Sequence, residues 1–167
     1  MDKAKLFFSF STLLAAVLFI ASCTKDVDDT KFYVVNAPMS ASQTIPASNA
    51  TSGGAIDATY DRSTKTLSYK VSWVNLLDTA TTLHVHGLAD SGAVALSPYP
   101  NGIIQTFTRT STPALSPNKA SGSFSSTLYI DGVVLKEEDL LAGKYYIDLH
   151  TKAKPAGELR GQIRFQQ

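Results

Sequence analysis

The 167-residue chain contains three histidines, and their placement is its most chemically suggestive feature. His84 and His86 flank Val85, while His150 closes the run Tyr145-Tyr146-Ile147-Asp148-Leu149. Side chains two apart in a strand point to one face, so His84 and His86 share a face. A neighbouring strand carrying His150 would complete a three-imidazole set suited to copper or zinc, which favour nitrogen ligands. The same rings can equally serve as architecture, bonding across strands to Asp148, Glu158, Thr151 or main-chain carbonyls. Acid–base catalysis is a third use of such a set.

Face tracking places more polar residues near the histidines. In the segment ending at His150, Tyr145, Ile147 and Leu149 suit a core, which puts Tyr146, Asp148 and His150 opposite. In 158–165, Leu159, Gly161, Ile163 and Phe165 suit the core, leaving Glu158, Arg160, Gln162 and Arg164 on the other side. Asp148, Glu158, Arg160 and Gln162 thus form an expected supporting polar cluster, with Glu158 and Arg160 read as ionic support between strands in preference to ligand recognition. A cluster on the outer face of a sheet is either solvated or covered by a loop, and 87–102 is the expected cover. No catalytic residue is assigned. Ser91, Ser121 and Ser123 lack the Gly-x-Ser-x-Gly elbow, and Gly53-Gly54 lacks the context of a phosphate loop. Glu137-Glu138-Asp139 reads as the solvated start of a short helix.

The elements that must position these residues read as β. Leu67, Tyr69, Val71 and Trp73 alternate with Thr66, Ser68, Lys70 and Ser72, the pattern of a strand with one buried face. Further strands are expected over 31–36, 55–60, 81–86, 103–108, 123–130, 144–150 and 158–165. Turn-forming residues separate them, as in Asp61-Arg62-Ser63-Thr64, Pro100-Asn101-Gly102 and Pro155-Ala156-Gly157. The exception is 135–142, whose helix formers end at Gly143 and predict one or two helical turns packing Leu140 or Leu141. The expected fold is all-β, an antiparallel sandwich or Greek-key barrel with that one helical turn. Segments 40–54 and 111–121 read as loops.

The N-terminus reads as an address. Lys3 and Lys5 precede an apolar stretch over 6–20, and Ala21-Ser22 stand before Cys23, the one cysteine in the chain. This arrangement resembles the lipobox of bacterial lipoproteins, in which the cysteine is lipidated and becomes the mature N-terminus. The implied organisation is a signal peptide over 1–22, lipidated Cys23 with a flexible tether over 23–30, and one β domain over 31–167. The implied location is extracytoplasmic, on a membrane of the cell envelope and most simply the outer membrane. Loss of the leader removes Asp2, Lys3 and Lys5 and balances the charges, which argues against capture of nucleic acid. With Cys23 lipidated, neither a disulfide nor thiol chemistry is available to the folded part.

Two resemblances follow from the motifs. Leu83-His84-Val85-His86-Gly87, followed by Gly143 to Phe165 with its aromatic strand, His150-Thr151, a Pro-x-Gly turn and Glu158-Leu159-Arg160-Gly161-Gln162, resembles the CHRD domain, the module of chordin that also occurs in bacterial secreted proteins. The resemblance runs from about Phe32 to Phe165, and Gln43-Thr44-Ile45-Pro46 looks like a looser version of the family's early Gln-x-x-Pro-Pro element. It implies an extracytoplasmic β domain of binding or structural character, with an envelope or extracellular protein as partner. His84-Val85-His86-Gly87 also looks like the copper-ligating strand of copper-zinc superoxide dismutases. That likeness implies at most a mononuclear three-histidine site with Arg160 near it, because the chain has no further histidines for a second metal. Two readings stand: a non-enzymatic envelope module, or a mononuclear copper or zinc protein built on His84, His86 and His150.

Overall fold

The computed structural model describes residues 29–115 and 120–166. The leader over 1–22, Cys23, most of the tether and the middle of the 111–121 loop lie outside the described residues. Within them, eight strands form in chain order: β1 Lys31–Ser40, β2 Gly53–Asp61, β3 Thr66–Val74, β4 Ala80–His86, β5 Ile103–Thr108, β6 Gly122–Tyr129, β7 Tyr146–Thr151 and β8 Leu159–Gln162. The fold is all-β, as expected. The one α-helix among the described residues, α1, is Glu137–Leu141, inside the expected 135–142, and its Leu140 is fully buried.

The strands make one sheet in the order β5-β4-β7-β8-β1-β2-β3-β6, all neighbours antiparallel. Its two four-stranded halves join at a single residue pair, Ser40 of β1 with Arg160 of β8. The sheet curls until its edge strands face each other. There the rings of Phe107 and Phe124 lie 4.7 Å apart, and Gln105 receives a hydrogen bond from Tyr69 and donates one to the Thr127 carbonyl, both at 2.8 Å. The barrel-like closure is thus made by side chains rather than by a backbone ladder. The inner face is one continuous core to which both halves contribute, including Val34, Ile56, Leu67, Val71 and Trp73 from one and Leu83, Val85, Ile147, Leu149 and Leu159 from the other.

Local chemistry explains where the strands depart from the expected bounds. β1 continues past Asn36 to Ser40 because a bulge between Val34 and Ala37 takes up Asn36 at φ 52°, its N–H held by Asp57 Oδ1 at 2.8 Å. β8 ends at Gln162, after which the chain keeps only isolated backbone bonds such as Ile163 N–H to the Tyr145 carbonyl at 2.9 Å. Gly161 is required where β8 crosses β1: a Cβ there would stand 2.6 Å from Met39 Cγ and 3.0 Å from the Pro38 carbonyl oxygen. The absence of that side chain lets the two halves of the sheet approach beside Arg160.

The start of α1 differs from its expected solvated character. Glu137 accepts hydrogen bonds from the Tyr60 hydroxyl at 2.9 Å and Arg62 Nε at 2.8 Å, tying the helix to the β2 end. The Arg62 hydrogen bond holds the Glu137 carboxyl below its ordinary value, against the opposing effect of burial. A carboxylate depressed in this way stabilises the fold above its unfolded pKa and loses that contribution as pH falls through the folded value. The melting temperature of wild type should therefore exceed that of Glu137→Gln near neutral pH, with the gap closing as pH drops below about 4. A gap that thermal melts show to be independent of pH would contradict this role.

Candidate metal centre

The register of three strands assembles the site. Across β4 and β7, His84 pairs with Asp148, His86 with Tyr146 and Thr82 with His150; across β7 and β8, Asp148 pairs with Arg160. Directly paired residues project to the same side of a sheet, so His84, Asp148 and Arg160 form one row. His86 and Tyr146 lie in the adjacent row, and His150 follows Asp148 by two positions on the same face. All three histidines therefore stand together, on the side opposite Leu83, Val85, Ile147 and Leu149.

Asp148 occupies the centre. Its Oδ1 lies 3.0 Å from His150 Nε2 and 3.4 Å from His84 Nδ1, and its Oδ2 lies 3.3 Å from His86 Nε2. His84 Nδ1 and His150 Nε2 are themselves 3.0 Å apart. The outer nitrogens of two rings are pinned by main-chain carbonyls: His150 Nδ1 faces the Pro155 carbonyl at 3.0 Å and His86 Nδ1 the Asn101 carbonyl at 3.2 Å. A carbonyl only accepts, so these Nδ1 atoms carry the protons and donate. In the neutral rings the Nε2 lone pairs then face inward, toward the carboxylate. His86 Nε2 is buried without a hydrogen-bond partner.

Inward lone pairs around a carboxylate repel unless something positive lies between them. A proton shared between His150 and Asp148 is one solution, and its effect shows in both groups. Burial pushes the Asp148 carboxyl up, but the imidazoles of His150, His84 and His86 outweigh it and hold it well below the usual carboxylate range. Burial pushes the His150 imidazole down, yet Asp148 and the Pro155 carbonyl raise it overall. A metal ion is the other solution. One ligand atom each from His84, Asp148 and His150 all fall within 4.8 Å of one another. Ligands about 2.0–2.1 Å from a tetrahedral zinc ion stand about 3.3 Å apart, close to the 3.0, 3.0 and 3.4 Å separations of this trio. Carbonyls on the outer nitrogens are the support that orients ligating imidazoles.

The face is covered rather than solvated. The segment after β4 folds back over it, with Ala95 fully buried and its N–H donating to the Tyr146 hydroxyl at 3.3 Å. Gln162 fastens the cover by donating to the Ala89 carbonyl at 2.8 Å while also donating to the Gly143 carbonyl, between α1 and β7, at 2.6 Å, and Arg160 fastens it by donating to the Ala93 carbonyl at 2.7 Å. The Tyr146 ring lies between two of these groups, stacked on His86 with centroids 4.7 Å apart and interplanar angle 6°, and beneath the Arg160 guanidinium at 3.7 Å. What remains open is a cavity of about 230 Å³ whose walls include all three histidines, Asp148, Tyr146, Arg160, Thr44 and Ile45.

The expected supporting cluster divides in the structure. Asp148 sits inside the histidine group, Arg160 lines the cavity and Gln162 serves the cover. Glu158 points elsewhere: it is fully buried and accepts from Thr151 Oγ1 at 2.6 Å and the Leu77 N–H at 2.8 Å. No Glu158–Arg160 ion pair forms among the described residues, because Glu158 lies just before β8 and is drawn to the opposite end of the strand by these donors. Asn101, whose carbonyl orients His86, and the cavity walls Thr44 and Ile45 were not identifiable from histidine spacing. The Gln43-Thr44-Ile45-Pro46 motif was the one available signal for the last two.

Replacing Asp148 by Asn keeps the size of the side chain but removes the charge that three imidazoles surround. In metal-free protein this change should cost about 1–3 kcal/mol of stability by urea denaturation. An unchanged midpoint would mean that the carboxylate does not hold the cluster together.

Comparison with curated proteins and with solved structures finds no match. The CHRD domain family matches residues 35–163, a span that runs from β1 past the end of β8 and contains every residue of the histidine site. The chain therefore belongs to the CHRD domain family.

Proposed function

We propose that this protein is a lipid-anchored CHRD module of the bacterial cell envelope that binds one zinc or copper ion through His84, His86, His150 and Asp148, and that it acts as a binding module rather than an enzyme. The observation that carries the metal reading is the grouping of His84 Nδ1, His150 Nε2 and Asp148 Oδ1 within 3.0–3.4 Å of one another in a covered site, with His86 Nε2 3.3 Å from the second carboxylate oxygen. All the donors are nitrogen or oxygen, a set that suits zinc and copper. Bound there, the ion would supply the positive charge the inward lone pairs and Asp148 require. The lipid anchor rests on Ala21-Ser22-Cys23 behind the apolar stretch, and envelope placement follows from that anchor.

A proton-held structural network is the second reading, favoured by the 3.0 Å contacts that His150 Nε2 makes with both His84 Nδ1 and Asp148 Oδ1. Calorimetric titration of zinc and copper into untagged protein separates the two. The metal reading predicts a single ion bound per chain with submicromolar affinity, lost in the His84→Ala/His86→Ala double variant. Folded wild type that takes up neither ion would leave the cluster as architecture. Anchoring has its own check: labelled fatty acid should be incorporated by the wild type and not by Cys23→Ser, and labelling of neither would contradict the lipoprotein assignment.

A further inference from the structure

Among the described residues the Arg160 guanidinium has no carboxylate within ion-pair distance, although only 4% of the residue is exposed. Asp148, its backbone partner across β7 and β8, turns its oxygens to the histidines instead. The face of the guanidinium is occupied by the Tyr146 ring, and one in-plane nitrogen donates to the Ala93 carbonyl. The guanidinium has five N–H donors in a planar fork shaped for a carboxylate, so donors remain for an acceptor that the described chain does not supply. Burial pushes the guanidinium down, and Asp148 opposes this only through space, because its oxygens are engaged by the histidines rather than bonded to Arg160.

The cavity shows what kind of acceptor fits. It is about 230 Å³, and the same walls hold Arg160, the three histidines and the apolar side chains of Ile45, Val94 and Ile103. A second cavity of about 470 Å³ shares Arg160, Thr44 and Ile45 as lining. A divalent ion balanced by Asp148 alone leaves one positive charge uncompensated, and Arg160 adds another, so an anion between the two is electrostatically favoured. The volume lies below that of ordinary drug-sized pockets, and the apolar wall suits a short hydrocarbon end.

We infer that the cavity binds a small aliphatic carboxylate, one oxygen on the Arg160 guanidinium and the other directed toward the histidine site, with its alkyl end against Ile45, Val94 and Ile103. The second contact rests on the metal reading above; the first does not. Propionate is the probe. In metal-free protein, its titration should shift the ring resonances of Tyr146 and His86 saturably, whereas the neutral isostere propionamide should not. Zinc loading should tighten propionate binding by about tenfold or more, and saturating propionate should tighten zinc binding by the same factor, as reciprocity requires. Arg160→Gln should weaken propionate binding by about tenfold or more.

The outcomes separate the two claims. Zinc uptake without any saturable response to propionate would overturn the carboxylate site and leave the metal reading intact. Saturable propionate binding in a protein that takes up neither zinc nor copper would support the Arg160 contact and overturn the metal reading together with the second contact. Equal binding of propionamide, or of inorganic phosphate, would overturn the assignment of a carboxylate. These arms use the wild type, so they decide the matter even where Arg160→Gln fails to fold.

Discussion

A buried carboxylate encircled by imidazoles is the constraint around which this end of the molecule is organised. Asp148 is directed at His84, His86 and His150, and two of those rings are held by carbonyls that dictate which nitrogen faces inward. Such an arrangement is satisfied by a positive charge at its centre, either a proton or a metal ion, and by little else. The protein commits two strands, a turn carbonyl at Pro155 and another at Asn101 to that geometry. Loose or solvated histidines would need none of this support.

The rest of the fold bears on that centre through register. His84, Asp148 and Arg160 share a row because β4, β7 and β8 pair without a bulge at those positions. A shift of one residue in any of the three would turn its contribution into the core. The row ends at Arg160, and Arg160 pairs with Ser40 at the single point where the two halves of the sheet join. Gly161 keeps that junction close. The site is therefore fastened to the seam of the sheet, and the cover is fastened to the site through Arg160, Tyr146 and Gln162.

Much of this was legible in the sequence, for identifiable reasons. The i, i+2 spacing of His84 and His86 forces a shared face, and the alternation of Tyr145, Ile147 and Leu149 with Tyr146, Asp148 and His150 settles which face it is. The helical turn before Gly143 was readable from propensity, and the cover was readable as the long segment between two strands. Partners made by the main chain were not readable, because any residue can present a carbonyl: Asn101 and Pro155 are defined as orienting groups only by the folded path. Glu158 shows the limit of alternation. It has the parity of Arg160 and Gln162, but it lies outside the ladder, where Thr151 and the Leu77 N–H decide its direction. Long-range packing also decided Glu137, which looked solvated beside two other acids and is instead bound by Tyr60 and Arg62.

X-ray absorption at the zinc edge of the loaded, untagged protein addresses the central claim most directly, since it reads the atoms around the ion without depending on affinity or stability. The account predicts a first shell of nitrogen and oxygen at about 2.0–2.1 Å, with the outer-shell scattering of three imidazole rings and no sulfur. A shell of oxygen atoms alone, without imidazole scattering, would show that the metal binds elsewhere and that the histidines around Asp148 are held together by protons.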